Sequence, residues 1–231
     1  MRPVGILGGM GPEATVDLMR RVLAAVPASD DADHVPLIVH QNPQVPSRIA
    51  HLIDRTGEDP GPTLAAMARG LAGAGAQALA MPCNTAHHYA PAIKAATDLP
   101  FLDMVALSVE EARAEATRLG RGDVAILCSP ATRIACVFDA PCKAAGLTPH
   151  YASDEPAMLA AIRAIKSRHD LDRARATLQA ASRAIATPVQ IIACTEFSLI
   201  ADALPETVRA IDTLDVLTRA IVAFASGASD G

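Results

Sequence analysis

The sequence predicts an α/β protein built as two similar halves, each a three-layer arrangement of a mainly parallel sheet covered by helices. Three observations carry this. Short apolar runs alternate with longer amphipathic ones through the 231 residues, the pattern of strands joined by crossover helices. Runs such as Gln190-Ile191-Ile192-Ala193 are almost continuously apolar, as strands buried on both faces are. The pattern also repeats. Val4-Gly5-Ile6-Leu7-Gly8 has a counterpart 120 residues on, in Val124-Ala125-Ile126-Leu127-Cys128. Ala78-Leu79-Ala80-Met81-Pro82-Cys83 has one about 111 residues on, in Gln190-Ile191-Ile192-Ala193-Cys194. Two α/β halves facing each other are therefore expected, with the boundary near Val105–Ser108: residues 1–106, residues 107–212, and a last helical segment, 213–231, returning to the first half.

Taken in order, Val4–Gly8 is a strand opening into a glycine loop, and Glu13–Val26 a helix. Val35–His40 is a strand, Thr63–Ala74 a helix, and Ala76–Pro82 a strand. Thr85–Thr97 is helical, Phe101–Met104 a short strand, and Ser108–Leu119 a helix. The pattern restarts with strand Asp123–Cys128, helix Thr132–Ala145 and strand Thr148–Ala152. Helices near Glu155–Ser167 and Leu171–Ala186 precede the apolar strand Val189–Cys194. A short helix at Phe197–Leu204, a strand at Val208–Ile211 and a helix at about Leu214–Ala225 complete the chain.

Composition narrows the function classes. Hydrophobic residues make up 51% and charged residues 19%, which excludes a disordered chain. There is no Trp, with 4 Phe and 2 Tyr, too few aromatics for stacking on bases. A net charge of -5 argues against nucleic acid or an anionic membrane as partner. No apolar run approaches the roughly 20 residues that span a bilayer, and the N-terminus begins as a strand rather than a signal peptide. A cytoplasmic protein is expected. The 5 cysteines are odd in number and none has C-x-x-C spacing, so free thiols are expected rather than a disulfide scaffold or a zinc knuckle. No metal site is expected.

Two of the cysteines stand apart. Cys83 and Cys194 each end an apolar strand and precede polar residues, Asn84-Thr85-Ala86-His87 and Thr195-Glu196. Ligands of open parallel sheets bind beyond the carboxyl ends of strands. If the halves face each other, both thiols point into one cleft. Racemisation suits that arrangement: a base removes an α-proton from one face and an acid returns one on the other. Thiol and thiolate interconvert near neutral pH once the site is tuned, so cysteine serves in both roles. Backbone N–H groups at Asn84-Thr85 and Thr195-Glu196 would bind the α-carboxylate at helix N-termini. Cys128, Cys136 and Cys142 are expected to be core residues, as most cysteines are.

Gly5-Ile6-Leu7-Gly8-Gly9-Met10-Gly11-Pro12-Glu13-Ala14-Thr15 resembles the N-terminal signature of the aspartate/glutamate racemase family. Met81-Pro82-Cys83-Asn84-Thr85-Ala86-His87 is similar to its first catalytic motif, and Ala193-Cys194-Thr195-Glu196 to its second, where Gly usually stands in place of Ala193. The resemblance implies a cofactor-independent two-base racemase of an amino acid. It implies two domains about a pseudo-twofold axis and a homodimer. It gives the proton transfers to Cys83 and Cys194, places Met10 in the loop lining the substrate, and sets Asn84, Thr85 and Thr195 near the α-carboxylate and amine.

Asn42-Pro43-Gln44-Val45-Pro46-Ser47-Arg48 is similar to the family loop whose arginine faces the distal carboxylate, and Ala164-Ile165-Lys166 to a segment whose lysine helps there. Arg48 and Lys166 would then read an acidic side chain, the first as a bidentate fork and the second as a point charge. One turn departs from the family pattern. Cys128-Ser129-Pro130-Ala131-Thr132 stands where a Thr/Ser-Gly-Thr turn is usual. Thr132 keeps a hydroxyl at the expected start of a helix, as a cap or a carboxylate contact, while Pro130 removes an N–H. His87 belongs to the motif and is placed to tune Cys83; His88 is expected to face solvent. Glu196 either orients the second thiol or supports the helix after it, with the structural role preferred. The competing functions are a racemase of another amino acid or a hydantoin, and a non-catalytic amino-acid-binding protein.

Overall fold

The computed structural model describes residues 1–227; positions 228–231 of the segment expected to return to the first half lie outside the described residues. The chain divides into two compact units, Met1–Met104 joined by the chain from Leu214 onward, and Val105–Thr213.

The first unit runs β1 (Val4–Gly8), α1 (Pro12–Ala25), β2 (Leu37–Gln41), α2 (Gly61–Gly73), β3 (Ala78–Ala80), α3 (Ala90–Lys94) and β4 (Phe101–Leu102). Helix α4 (Met104–Arg118) leads into the second unit: β5 (Asp123–Cys128), α5 (Pro130–Ile134), α6 (Asp139–Ala144), β6 (Thr148–Tyr151), α7 (Glu155–Ser167), α8 (Leu171–Ile185), β7 (Val189–Ala193), α9 (Thr195–Ser198) and β8 (Arg209–Asp212). Helix α10 (Thr213–Ser226) carries the chain back into the first unit.

Each unit holds a four-stranded sheet, ordered β2-β1-β3-β4 in the first and β6-β5-β7-β8 in the second. All the pairings are parallel. The sequence repeat is thus a repeat of topology, with β1 matching β5 and β3 matching β7. Burial follows hydropathy. The runs β1, β3 and β7, without polar side chains apart from Gln190 in β7, are buried throughout, whereas the edge strands β2 and β6 are part-exposed.

In the first unit, alternation along β1 assigns its two faces. Val4 and Ile6 pack with Leu18 and Val22 of α1 and with Leu214, Leu217 and Ile221 of α10. Between them Gly5 faces the other way; a Cβ there would come within 3.1 Å of Leu71 on α2, so its absence lets α2 sit close. In the second unit, Leu127 and Ile192 pack with Met158, Ile162 and Ile165 of α7 and Leu178 of α8. Burying a Leu or Ile of this kind contributes about 1.5–3 kcal/mol.

Several expected elements differ. The helix expected over Thr85–Thr97 is a 3-10 turn at Thr85–Tyr89 followed by the short α3. The strand expected over Phe101–Met104 pairs only over Phe101–Leu102, and the helix expected from Ser108 begins at Met104. The helix expected over Thr132–Ala145 is two helices, α5 and α6, broken where Cys136 takes φ +52. The break turns Phe138 fully into the core. The strand expected to run to Pro82 pairs only over Ala78–Ala80. The Cys83 N–H instead donates to the Met81 carbonyl at 2.9 Å, a tight turn about Pro82 that suits proline's fixed φ. The helix expected at Phe197–Leu204 starts earlier, as α9, and ends in a 3-10 turn at Ala201–Ala203.

Candidate active site

The strand order locates a ligand crevice in each unit. From β1 the chain goes to β2 on one side and returns through α2 to β3 on the other. Loops leaving the carboxyl ends of β1 and β3 therefore diverge, and such a switch point opens a crevice. Gly9-Met10 follows β1 there, and Met81-Pro82-Cys83 follows β3. The second unit repeats the arrangement: Ser129 follows β5, and Cys194 follows β7. Cys83 and Cys194 thus occupy equivalent places in their own units, and each is 7% exposed.

In the first unit, the β1 loop is fixed by its glycines. Gly9 has φ +97, and a Cβ would lie 2.4 Å from the Asn42 carbonyl, so only glycine fits. The Gly9 N–H donates to Thr15 Oγ1 at 2.9 Å, which seats Met10, 4% exposed, beside the strand end. Asn42 continues β2: its N–H donates to the Gly8 carbonyl at 3.2 Å and its Oδ1 accepts from the Gln44 N–H at 3.0 Å. Arg48 folds onto its own loop, with Nη1 donating to the carbonyls of Val45 at 3.1 Å and Pro46 at 2.9 Å. Cys83 is followed by buried Asn84 and a 3-10 turn, Thr85–Tyr89. His87 Nδ1–H donates to the Cys83 carbonyl at 2.8 Å, which sets the tautomer. Its Nε2 is buried without a hydrogen-bond partner, 3.8 Å from Asp103. Burial, opposed by Asp103, holds the imidazole below its usual pKa, so it is neutral. His88 is exposed, as expected.

In the second unit, Cys194 caps α9 with extended φ/ψ, as N-cap residues adopt. Its thiol donates to Glu196 Oε2 at 3.0 Å, and Glu196 Oε1 pairs with Lys166 Nζ at 3.2 Å. Burial first, and then the Glu196 carboxylate, push the thiol well above its usual pKa; Lys166 pulls weakly the other way. The three side chains form a line from the end of α7 to the strand end. Glu196 lies in the first turn of α9, as preferred for a carboxylate, and also holds the thiol. Thr195, 3% exposed, is its first helical residue.

The turn after β5 corrects one expectation. Ser129, not Thr132, is the cap of α5: its Oγ accepts from the Thr132 N–H at 3.2 Å. Thr132 lies inside the first turn, 1% exposed, with its hydroxyl 3.0 Å from Ser129 Oγ. Pro130 is the first helical residue, where its missing N–H costs nothing. A second correction concerns Cys136, which is exposed rather than buried, because the break before α6 brings it to the surface. Cys128 and Cys142 are buried as expected, and burial pushes Cys128 up to about 12.

Sequence reasoning missed two side chains of the first unit. His51, in a π-helical turn at Ala50–Asp54, is hydrogen-bonded through Nδ1 to the hydroxyl of buried Tyr89 at 2.7 Å. Neither lies in an apolar period, but Tyr89 follows the Cys83 motif and His51 follows Arg48. Among the described residues, no cluster of three or more His, Cys, Asp or Glu is placed to hold a metal ion, and no helix is long and apolar enough to cross a membrane. A groove of about 570 Å³ beside β6, lined also by Met158, Thr177 and Ile185, contains none of the expected site residues.

Comparison with known proteins agrees with this fold. The family described as Asp/Glu/Hydantoin racemase matches residues 7–221. The broad specificity amino-acid racemase RacX of Bacillus subtilis (strain 168) is 26% identical over 226 residues, 95% of this chain and 96% of that one. The aspartate racemase of Picrophilus torridus superposes with a TM-score of 0.85 at 25% identity, covering 98% of this chain and 95% of the other. The glutamate racemase of Francisella tularensis subsp. tularensis SCHU S4, solved with D-glutamate, gives a TM-score of 0.63 over 98% of this chain and 81% of its own. At 15% identity that likeness speaks for the fold.

Proposed function

The chain belongs to the Asp/Glu/hydantoin racemase family, and on that premise we propose that it interconverts the enantiomers of an acidic amino acid, aspartate or glutamate, through Cys83 and Cys194. The observation that carries this reading is the equivalence of the two thiols. Each follows the carboxyl end of the strand beside the switch point of its own sheet, within a repeated topology.

In one direction a cysteine thiolate takes the α-proton, and the other cysteine, as thiol, gives its proton to the opposite face of the carbanion. The two then hold exchanged protonation states, ready for the reverse reaction. A buried thiol resists ionisation, and Glu196 answers that for Cys194: the thiol proton moves along the 3.0 Å hydrogen bond onto the carboxylate, leaving thiolate and carboxylic acid. The Phe197 and Ser198 N–H groups donate to the Cys194 carbonyl, and those of Thr195 and Glu196, at the start of α9, suit the α-carboxylate and the charge growing in the transition state. Arg48 reads the distal carboxylate. The homodimer and the cytoplasmic, reducing setting expected from the sequence belong to the same reading.

The test is α-proton exchange. Incubation with L-aspartate or L-glutamate in D₂O, without pyridoxal phosphate, is expected to give α-deuteration and loss of optical rotation. Cys83→Ser and Cys194→Ser are each expected to reduce turnover severely; wild-type turnover in either ends the two-base reading. Arg48→Ala is expected to impair acidic substrates far more than neutral ones. The broad specificity in the name of the Bacillus subtilis relative favours one second reading, racemisation of another amino acid, and equal loss on acidic and neutral substrates in Arg48→Ala supports it. Thermal stabilisation by amino acids with no α-exchange points instead to a binding protein.

A further inference from the structure

The segment that carries Arg48 has little regular structure of its own. It leaves β2 at Asn42, buries Val45 and Leu52 as its apolar anchors, and closes in the π-helical turn at Ala50–Asp54. Within that turn the His51 N–H donates to the Ser47 carbonyl at 2.9 Å, and the N–H groups of Thr56 and Gly57 both donate to the Ala50 carbonyl. Gly57 lies against the turn: a Cβ there would meet the His51 nitrogen at 2.9 Å. These contacts are internal to the loop. They shape it without saying where it rests.

His51 supplies that. Its Nδ1 is 2.7 Å from the Tyr89 hydroxyl, across 38 residues of chain, and the two rings are tilted with centroids 5.8 Å apart. Tyr89 is 6% exposed and ends the 3-10 turn that begins just after Cys83 and Asn84. The pair therefore bridges two pieces of the proposed site: the loop three residues beyond Arg48, and the turn six residues beyond Cys83. Charges around the phenol agree with that placement. Burial and then Asp59 push Tyr89 up to about 12, Arg48 pulls it down, and Cys83 adds to the rise. Tyr89 thus keeps its proton and acts as a hydrogen-bonding post.

We propose that His51 and Tyr89 are positioning residues that latch the Arg48 loop onto the Cys83 turn and so set the preference for an acidic side chain. The inference rests on the reading of Arg48 as the distal-carboxylate contact. A short planar fork is sensitive to placement, because both of its hydrogen bonds must align at once. The Cys83 turn does not depend on the latch in the same way, since it is fixed by its own bonds and by β3.

The experiment compares wild type, Tyr89→Phe, His51→Leu, the double variant, and His88→Gln. The last is a control, because His88 packs edge-on against the Tyr89 ring. KM and kcat are measured on L-aspartate and on L-alanine, and amide hydrogen exchange is followed across residues 42–57. Each single variant is expected to raise KM for aspartate about threefold to tenfold, the worth of one neutral hydrogen bond. The values of kcat stay within about twofold, as expected for lost positioning with the chemistry intact. KM for alanine does not move, and the double variant is no worse than the worse single one. Exchange speeds up across the Arg48 loop in both singles and not in His88→Gln. Additive losses, equal losses on aspartate and alanine, or unchanged exchange in the loop each overturn the proposal. If wild type racemises neither amino acid, the substrate reading fails on its own, and exchange in the loop still decides whether the latch exists.

Discussion

Replacing Glu196 by Gln asks whether the carboxylate beside Cys194 helps or hinders. Its two effects oppose each other. As a negative charge 3.0 Å from sulfur, it makes the thiolate harder to form and is one cause of the raised pKa. As an acceptor, it is the place a buried thiol can send its proton. Glutamine removes both the charge and the basicity while keeping the shape. A hydrogen bond to a charged group contributes about 1.5–3 kcal/mol, so loss of the acceptor is expected to lower kcat/KM about 10- to 150-fold. Enantiomers have equal free energies, so kcat/KM must fall equally in both directions. The asymmetry appears instead in the α-deuterium isotope effect. It grows for the enantiomer whose α-proton goes to Cys194 and shrinks for its mirror image, because the Cys194 step has become limiting for both. The assay is circular dichroism at pH 7–8 on both enantiomers, with α-protiated and α-deuterated substrates. If Glu196→Gln is as fast as wild type or faster, the carboxylate only suppresses the thiolate, and the relay is wrong.

Other outcomes follow from the same geometry. Lys166→Met removes an ion pair whose lysine side chain is 49% exposed, so screening keeps its stability cost below about 1 kcal/mol; a thermal melt checks this, and KM for acidic against neutral substrates shows whether the lysine also reads substrate. Ser129→Ala deletes the α5 cap and is expected to cost about 1 kcal/mol, lowering the melting midpoint by a few degrees; no change would mean the Ser129–Thr132 bonds are replaced by water. His87 is neutral when folded and has its ordinary value near 6.5 when unfolded. Below that pH the unfolded chain binds a proton that the folded one refuses. Stability is therefore whole above about 6.5 and declines as pH falls toward the lower folded value, by at most about 1.4 kcal/mol per pH unit. Urea titrations between pH 5 and 7 are expected to show a shallower decline in His87→Gln, and an identical decline would place the lost stability elsewhere.

Much of the fold was legible because hydropathy is a burial signal. Val4–Gly8 and Asp123–Cys128 read as strands from their apolar runs and are strands with those limits. Cys83 and Cys194 stood out because an apolar run ending in a polar residue marks a strand end. What stayed hidden depended on single dihedrals or distant partners. Pro141 could have signalled a break in Thr132–Ala145, since it cannot continue a helix from Val137, but no residue announces that Cys136 is the one to adopt a left-handed conformation. Ser129 and Thr132 are both good capping residues, and the position of Pro130 at the first helical residue decides for Ser129. The Glu196–Lys166 pair spans 30 residues, and His51–Tyr89 spans 38. Such contacts have no local period, and only the crossing of loops at a strand end brings them together.

The path of the chain through the first unit also orders events during synthesis. Val105–Thr213 is one continuous stretch, and the cluster around Leu127 and Ile192 closes with residues from within it. The first sheet emerges from the ribosome earlier, yet Val4 and Ile6 wait for Leu214, Leu217 and Ile221, near the far end of the chain. The half made first is thus the half completed last. Its N-terminal strand stays dependent on a helix that the whole second unit precedes, and this exposed interval is where a nascent chain of this design most needs protection from aggregation.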